Sequence, residues 1–283
     1  MITDNPATDI RSSVTLATGA AMPMLGFGTW KMKPDGEAQT AVRIALELGY
    51  RHIDTAAAYE NEDGVGEGIR DSGIPRGEIF LTTKVWNDDI RGGTEAVLKA
   101  ADDSLRLLGT DYVDLLLLHW PIPTADAAAW RAMETLLADG RARAIGVCNY
   151  MPDQLESFLT RIDTPPMVNQ VEFHPYLTQP ELLALNRRHG IVQEAWSPIM
   201  QGTVKDVPEL RAIADAHGKS PSQIVLRWDL QQGVVTIPKS SNAGRIQENT
   251  DLYDFELSSS EMEAISALNC GKRFGPDPHH FGF

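Results

Sequence analysis

Eight short apolar runs rich in β-forming residues recur along the chain, at 25–30 (LGFGTW), 51–56 (RHIDTA), 79–86 (IFLTTKVW), 112–120 (YVDLLLLHW), 144–149 (AIGVCN), 167–173 (MVNQVEF), 191–198 (IVQEAWSP) and 234–238 (VVTIP). Each is too short for a helix and is bounded by turn residues, so each predicts a buried strand. The stretches between them carry the helical period instead. Ala41, Ile44, Ala45 and Leu48 fall on one face, and Val97, Ala101, Leu105 and Leu108 on another. Start signals agree, since Ser220-Pro221-Ser222-Gln223 and Ser258 with Glu261 have the form of capping boxes. Strand and helix alternating eight times predict either a closed parallel barrel or a long open sheet.

The polar residues separate these two architectures. Asp54, Lys84, His119, Asn149, Gln170, Trp196 and Lys239 come at or just after the C-terminal ends of seven different runs. A (β/α)8 barrel turns all seven toward one mouth, whereas an open sheet spreads them along an edge. The expectation is therefore an α/β barrel filling residues 1–283 as one domain, with further helices after the last strand. Residues 14–25 (VTLATGAAMPML) read as an N-terminal hairpin closing the opposite end.

Composition narrows the function. The formal net charge of −14 opposes non-specific binding to nucleic acid or anionic membrane, so an anionic ligand needs a locally basic site. No apolar run approaches a membrane span and the first residues do not resemble a secretory leader. Cys148 and Cys270 are the two cysteines and form no metal-binding pattern, which suits a reducing cytoplasm. The chain is expected to act on a small molecule, as a monomer, without a metal.

Tyr59 suggests the chemistry. Reduction of a carbonyl by hydride leaves charge on oxygen, and that oxygen needs a proton. A phenol titrates near pH 10, but an ammonium such as Lys84 beside it favours the phenolate and is expected to bring the donor nearer its working range. Asp54 would hold that ammonium charged, and His119 would orient the substrate oxygen through a hydrogen bond. Taken singly, these are a turn residue, a loop aromatic, a strand-end lysine and a core histidine; their joint placement favours a site. Trp30, Trp86 and Trp120 each follow a strand and are expected to wall the substrate pocket rather than the core. Around Lys239, Ser240, Ser241 and Arg245 a strand leads into a helix start on a locally basic patch, which suits a phosphate; an ordinary capped surface helix is the alternative. GVGEG at Gly64 lacks the last glycine of a dinucleotide fingerprint and does not follow a strand, so it is expected to be helical. A hydrolase built on Asp54 and Glu172 is the competing chemistry, and it leaves Tyr59 and Lys84 without a role. The tail 275–283 (GPDPHHFGF) is expected to bring Phe281 or Phe283 over the mouth, with His279 and His280 exposed.

In order and spacing, DTAAAYENEDGVGEGI, LTTKVW, LLLLHWP, GVCNY, NQVEFHPY and IPKSSNAGRIQEN resemble the aldo-keto reductase superfamily over nearly the whole chain. AWSPIMQG, with Trp196 where animal members usually have tyrosine, is most similar to the microbial 2,5-diketo-D-gluconate reductase branch. The resemblance implies NADPH-dependent reduction of aldehydes, ketones or dicarbonyls, with Asp54, Tyr59, Lys84 and His119 as the catalytic tetrad. It also implies that Asn149 and Gln170 hold the nicotinamide carboxamide and Trp196 stacks on its ring, with Ser197 beside it. Asp54 would touch the nicotinamide ribose, Lys239 through Arg245 the 2′-phosphate, and Glu248 and Asn249 the adenine. Cys148 stands where the family more often has serine; a thiol is the weaker donor and would loosen the carboxamide clamp, or it is simply a small buried hydrophobe. The same resemblance admits a non-catalytic nucleotide-binding subunit, as in potassium-channel β-subunits.

Overall fold

A computed structural model describes residues 7–281. The strands are β1 (Ser13–Thr15), β2 (Ala21–Pro23), β3 (Phe27–Gly28), β4 (His52–Asp54), β5 (Phe80–Val85), β6 (Leu115–Leu118), β7 (Ile145–Cys148), β8 (Val168–Glu172), β9 (Val192–Trp196) and β10 (Val235–Thr236). The α-helices are α1 (Glu37–Glu47), α2 (Glu62–Asp71), α3 (Asn87–Arg91), α4 (Gly93–Leu108), α5 (Asp126–Ala138), α6 (Pro152–Leu159), α7 (Pro180–Arg188), α8 (Pro208–His217), α9 (Pro221–Gln231), α10 (Ala243–Glu248) and α11 (Ser259–Ser266). All eight apolar runs contribute a strand, each shorter than its run.

Strands β3 to β10 pair in chain order and in parallel. The ring closes between first and last, where Leu25 bridges Thr236 and the amides of Gly26 and Thr236 donate to Thr236 and Met24 at 2.9 Å each. This closure excludes the open sheet and makes the fold a (β/α)8 barrel. The hairpin forms as β1 and β2, with Val14 opposite Met22 and both buried. The Pro23 carbonyl at its end meets His52, the first residue of β4, so the hairpin covers the end where the strands begin. Helices α10 and α11 follow the last strand, and both predicted capping boxes form. Among the described residues no helix is long and apolar enough to cross a membrane.

The glycines of GVGEG lie in α2 and serve packing. A Cβ on Gly66 would stand 2.4 Å from the Leu108 carbonyl oxygen of α4, and one on Gly68 2.6 Å from the Gln39 carbonyl oxygen of α1. Their absent side chains let α2 approach its neighbours, a helix-packing use with no phosphate in it.

Strand alternation turns His52 and Asp54 of β4 inward with Thr82 and Lys84 of β5, Gln170 of β8 and Glu194 of β9, and all six are buried. A barrel interior is ordinarily filled by branched apolar side chains. Here polar side chains from four of the eight strands share it.

Candidate active site

At the C-terminal mouth the loops enclose a cavity of about 550 Å³. Asp54, Tyr59, His119, Asn149, Gln170, Trp196, Ser197, Trp30, Trp86 and Trp120 line it, as do Lys239, Ser240, Ser241, Arg245, Glu248 and Asn249. Lys84 lies beneath this surface and acts on it through its neighbours.

The register of β4 against β5 pairs Asp54 with Thr82, which sets Lys84 one layer further toward the mouth. Its ammonium donates to Asp54 Oδ1 at 2.6 Å and to the Thr55 carbonyl at 2.8 Å, and stands 3.5 Å from the Tyr59 hydroxyl, the outer limit of a hydrogen bond. Tyr59 ends a 3₁₀ turn, Ala57–Tyr59, that drops the phenol back over the end of β5. Its ring meets His119 edge-on at 5.7 Å, and Trp86 meets His119 edge-on at 5.2 Å.

Burial works against the Lys84 ammonium, but the charge on Asp54 and its 2.6 Å hydrogen bond more than offset it and raise the lysine above its ordinary range. Burial also governs Tyr59: it pushes the phenol up, and the opposing pull of Lys84 does not compensate. The expectation that Lys84 brings the free phenol toward neutrality is therefore corrected. Desolvation of the phenolate outweighs a single ammonium that is itself shared with Asp54. The result is a phenol that stays protonated and is held as a donor.

Burial, and after it Lys84, holds His119 well below the usual imidazole range, so the ring is neutral. Its Nδ1 is buried without a hydrogen-bond partner. A proton left there would be an unsatisfied donor, so the proton belongs on Nε2. The cavity-lining ring is thus set up to donate.

The Asn149 backbone is left-handed, with φ 65°, which turns its side chain between two walls. Its amide donates to the His119 carbonyl at 3.0 Å, and its Oδ1 accepts from the Trp196 indole at 2.8 Å. Gln170 Nε2 donates to Asp54 Oδ2 at 2.7 Å and to Glu194 Oε2 at 2.9 Å. Both amide protons are then committed, while Oε1 accepts from the Cys148 thiol and keeps its second lone pair for a ligand. Cys148 Sγ lies 3.9 Å from that Oε1, and burial keeps it a thiol by pushing its pKa well up.

At the other end of the cavity Ser240 is buried and Arg245 is exposed. Asn242 caps α10 by accepting from the Arg245 amide at 3.1 Å. Glu248 is tied to the Ser220 hydroxyl.

The tail crosses the mouth. Glu172 accepts the amides of Phe274 and Gly275 on one oxygen, at 2.5 and 3.1 Å, with His174 Nε2 at 3.1 Å from the same atom. Gly275 and Pro276 then line the cavity, and Phe281 stacks on Trp120 with ring centroids 3.8 Å apart. Phe283 lies outside the described residues. His279 and His280 are exposed, each within 3.0 Å of an aspartate oxygen, on Asp153 and Asp277 respectively. Glu172 is engaged as a tail anchor, its Oε1 on two backbone amides and its Oε2 facing Arg273 Nη1 at 3.6 Å, which counts against a hydrolase pair with Asp54. The sequence pattern did not point to Glu194, for which alternation along β9 from Trp196 was the available signal; Gly275 and Pro276 belong to the tail expected over the mouth, though neither was singled out.

The aldo/keto reductase family profile matches residues 24–269. The chain belongs to this family. It is 50% identical over 276 residues to the glyoxal reductase of Bacillus subtilis, covering 98% of this chain and 99% of that protein. It is 46% identical over 273 residues to the methylglyoxal reductase DkgA of Escherichia coli, covering 95% and 98%. Among solved structures, an aldo/keto reductase from Brucella melitensis superimposes with a TM-score of 0.87 at 47% identity, over 91% of this chain and 99% of that one. A Gox0644 mutant solved in complex with NADPH superimposes with a TM-score of 0.91 at 38% identity, over 96% and 99%. As a family member the chain is an oxidoreductase, and its resemblance to the diketogluconate reductase branch agrees with these relatives.

Proposed function

We propose that this reductase converts small aldehydes, ketones and dicarbonyls of the glyoxal and methylglyoxal class to alcohols with NADPH, using Tyr59 as general acid. The assembly of Lys84, Asp54, Tyr59 and His119 at one wall of one cavity carries the reading. The residues present fit the cofactor. Gln170 Oε1, which accepts from the Cys148 thiol, keeps one lone pair for a carboxamide, Trp196 offers a flat wall pinned by Asn149, and Lys239, Ser240, Ser241 and Arg245 supply cations and hydroxyls for a 2′-phosphate on an otherwise acidic protein. Glu248 and Asn249 close the adenine end.

When bound, the reduced nicotinamide supplies the hydride. His119 Nε2 donates to the substrate oxygen and aims the carbonyl carbon inward. As the carbonyl electron pair moves onto oxygen, Tyr59 gives that oxygen its proton, and the growing phenolate is met by the Lys84 ammonium that Asp54 holds in place. Trp30, Trp86 and Trp120 exclude water and limit the substrate to compact carbonyls. All of these contacts come from one chain, so a monomer suffices, and the free thiols suit a cytoplasmic setting.

Tyr59→Phe tests the assignment. Loss of the acid should lower carbonyl reduction by about 10²- to 10⁴-fold while NADPH binding stays nearly intact. Unimpaired turnover refutes it. Wild-type protein that binds NADPH yet turns over none of a panel of aldehydes and dicarbonyls would instead favour a nucleotide-binding subunit.

A further inference from the structure

Beneath the tetrad lies a buried acid that the proposed reaction does not use. Glu194, on β9, is fully buried. Its Oε2 accepts from Gln170, while its Oε1 has no hydrogen-bond partner and faces His52 Nε2 at 3.5 Å.

The protonation of this pair follows from its other contacts. His52 Nδ1 lies 3.2 Å from the Pro23 carbonyl oxygen, which only accepts, so Nδ1 carries the proton. In a neutral ring Nε2 is then a lone pair, turned toward the Thr82 hydroxyl at 3.2 Å and toward Glu194 Oε1. A carboxylate oxygen there would have no donor and would oppose a lone pair. A proton on Oε1 removes both faults and leaves Oε2 as the carbonyl-like acceptor for Gln170. The approach of His52 is itself built in, because a Cβ on Gly26 would come within 2.7 Å of Nδ1.

We propose that Glu194 is a positioning residue of the reductase site, a neutral acid that holds the Gln170 amide with Oε1 toward the cavity and whose ionisation shuts the site down. The inference rests on the proposed reductase reading for its activity and NADPH-binding arms, and not for its stability and His52 arms. The titratable groups facing Glu194 are His52 and Asp54 from β4, Lys84 from β5 and Cys148 from β7; β10 offers Val235 and Thr236 beside it, neither of which titrates. Burial, and after it Asp54, pushes Glu194 up to about 8, and burial takes His52 down to about 4; burial raises Asp54 as well, but the Lys84 ammonium at 2.6 Å keeps the charge on Asp54 and so the shared proton on Glu194. Ionised Glu194 would share the Gln170 amide with a second carboxylate, pull Lys84 away from Tyr59 electrostatically, and make the phenol a weaker acid.

The full-length protein and its Glu194→Gln and Glu194→Leu variants decide the matter. In the wild type, kcat/KM for methylglyoxal with NADPH should fall roughly tenfold per pH unit above the Glu194 transition, and Glu194→Gln should lack this limb. Glu194→Leu removes the acceptor for Gln170 and should weaken NADPH binding about tenfold, a loss that Gln restores. Stability gives a readout independent of turnover. A carboxyl raised from 4.5 to about 8 stabilises the fold fully below 4.5 and loses that contribution as pH rises to 8. The wild-type melting temperature should therefore slope downward across that window more than that of Glu194→Gln. Nitrogen-15 spectra of wild-type histidines should show His52 neutral with its proton on Nδ1 at pH 7, and this measurement stands even where a variant fails to fold. A doubly protonated His52, or the same alkaline limb in wild type and Glu194→Gln, overturns the proposal. Neither result touches the Tyr59 test, so the two readings fail separately.

Discussion

Gly275 is where the tail and the nicotinamide wall meet, and Gly275→Ala measures how tightly they are joined. A Cβ at this position would stand 2.3 Å from Trp196 Cη2 and 2.9 Å from Cζ3. Carbon atoms settle at about 3.5–4.0 Å, so a gap of more than about 1 Å must open. Two routes are available. If the tail lifts, it weakens two amide bonds to the Glu172 carboxyl group, each about 1.5–3 kcal/mol for a charged acceptor. If the indole turns instead, it gives up the bond from Trp196 Nε1 to Asn149 Oδ1, about 1 kcal/mol for a neutral pair. The indole is the cheaper to move, and the cavity gives it space. The overpacking, about 1–3 kcal/mol, then returns when a ligand needs the wall back in place, which is roughly 5- to 150-fold in Kd. Fluorescence titration with NADPH reads the affinity, and a thermal melt reads the alternative in which the fold itself bears the strain. An NADPH Kd within about twofold of wild type, with an unchanged melting temperature, would show that Gly275 does not seat on Trp196.

Two further substitutions probe the ends of the cavity. Arg245→Ala removes a charge-assisted contact to the 2′-phosphate and should weaken NADPH by about 10- to 100-fold while leaving NADH nearly unaffected, as read by paired titrations; equal losses would locate the phosphate elsewhere. Phe281→Ala removes the ring stacked on Trp120 and should raise KM for aromatic aldehydes about two- to tenfold with little change in kcat. An equal rise for methylglyoxal would show that the whole mouth had been disturbed rather than one wall.

Asp54, Lys84 and His119 were legible because polar side chains interrupt apolar runs at their C-terminal ends, and a closed parallel barrel gives such positions a common mouth. Tyr59 was legible through its chemistry, since a phenol near a lysine has a task in carbonyl reduction. The sign of its pKa shift was not legible, because it depends on desolvation, which depends on how the Ala57–Tyr59 turn packs over β5. The tail anchor was hidden for another reason: Glu172 and Gly275 are 103 residues apart, and no local pattern pairs a strand-end carboxylate with two distant amides. Likewise, the glycines of α2 look like a phosphate loop in composition and are explained by Leu108 and Gln39, which periodicity does not bring together.

Glu194 marks the limit of reading strands as apolar runs. Within IVQEAWSP it looks like a flaw in a hydrophobic segment, yet period-two alternation places it with Trp196 on the inner side of β9. The pairing of Gln170 with Glu194 across β8 and β9 then puts an acid beneath Asp54. Charge balance explains why it should be neutral there. Lys84 and Asp54 already form a buried pair of net zero charge, and a second carboxylate would leave the barrel interior negative, with no further cation facing the excess among the described residues. Such a charge would hold Lys84 more tightly to the acids below and less to the phenolate that forms above it. A neutral Glu194 lets one lysine serve one aspartate and one tyrosine, and a polar inner layer thereby supports the proton transfer proposed at the mouth.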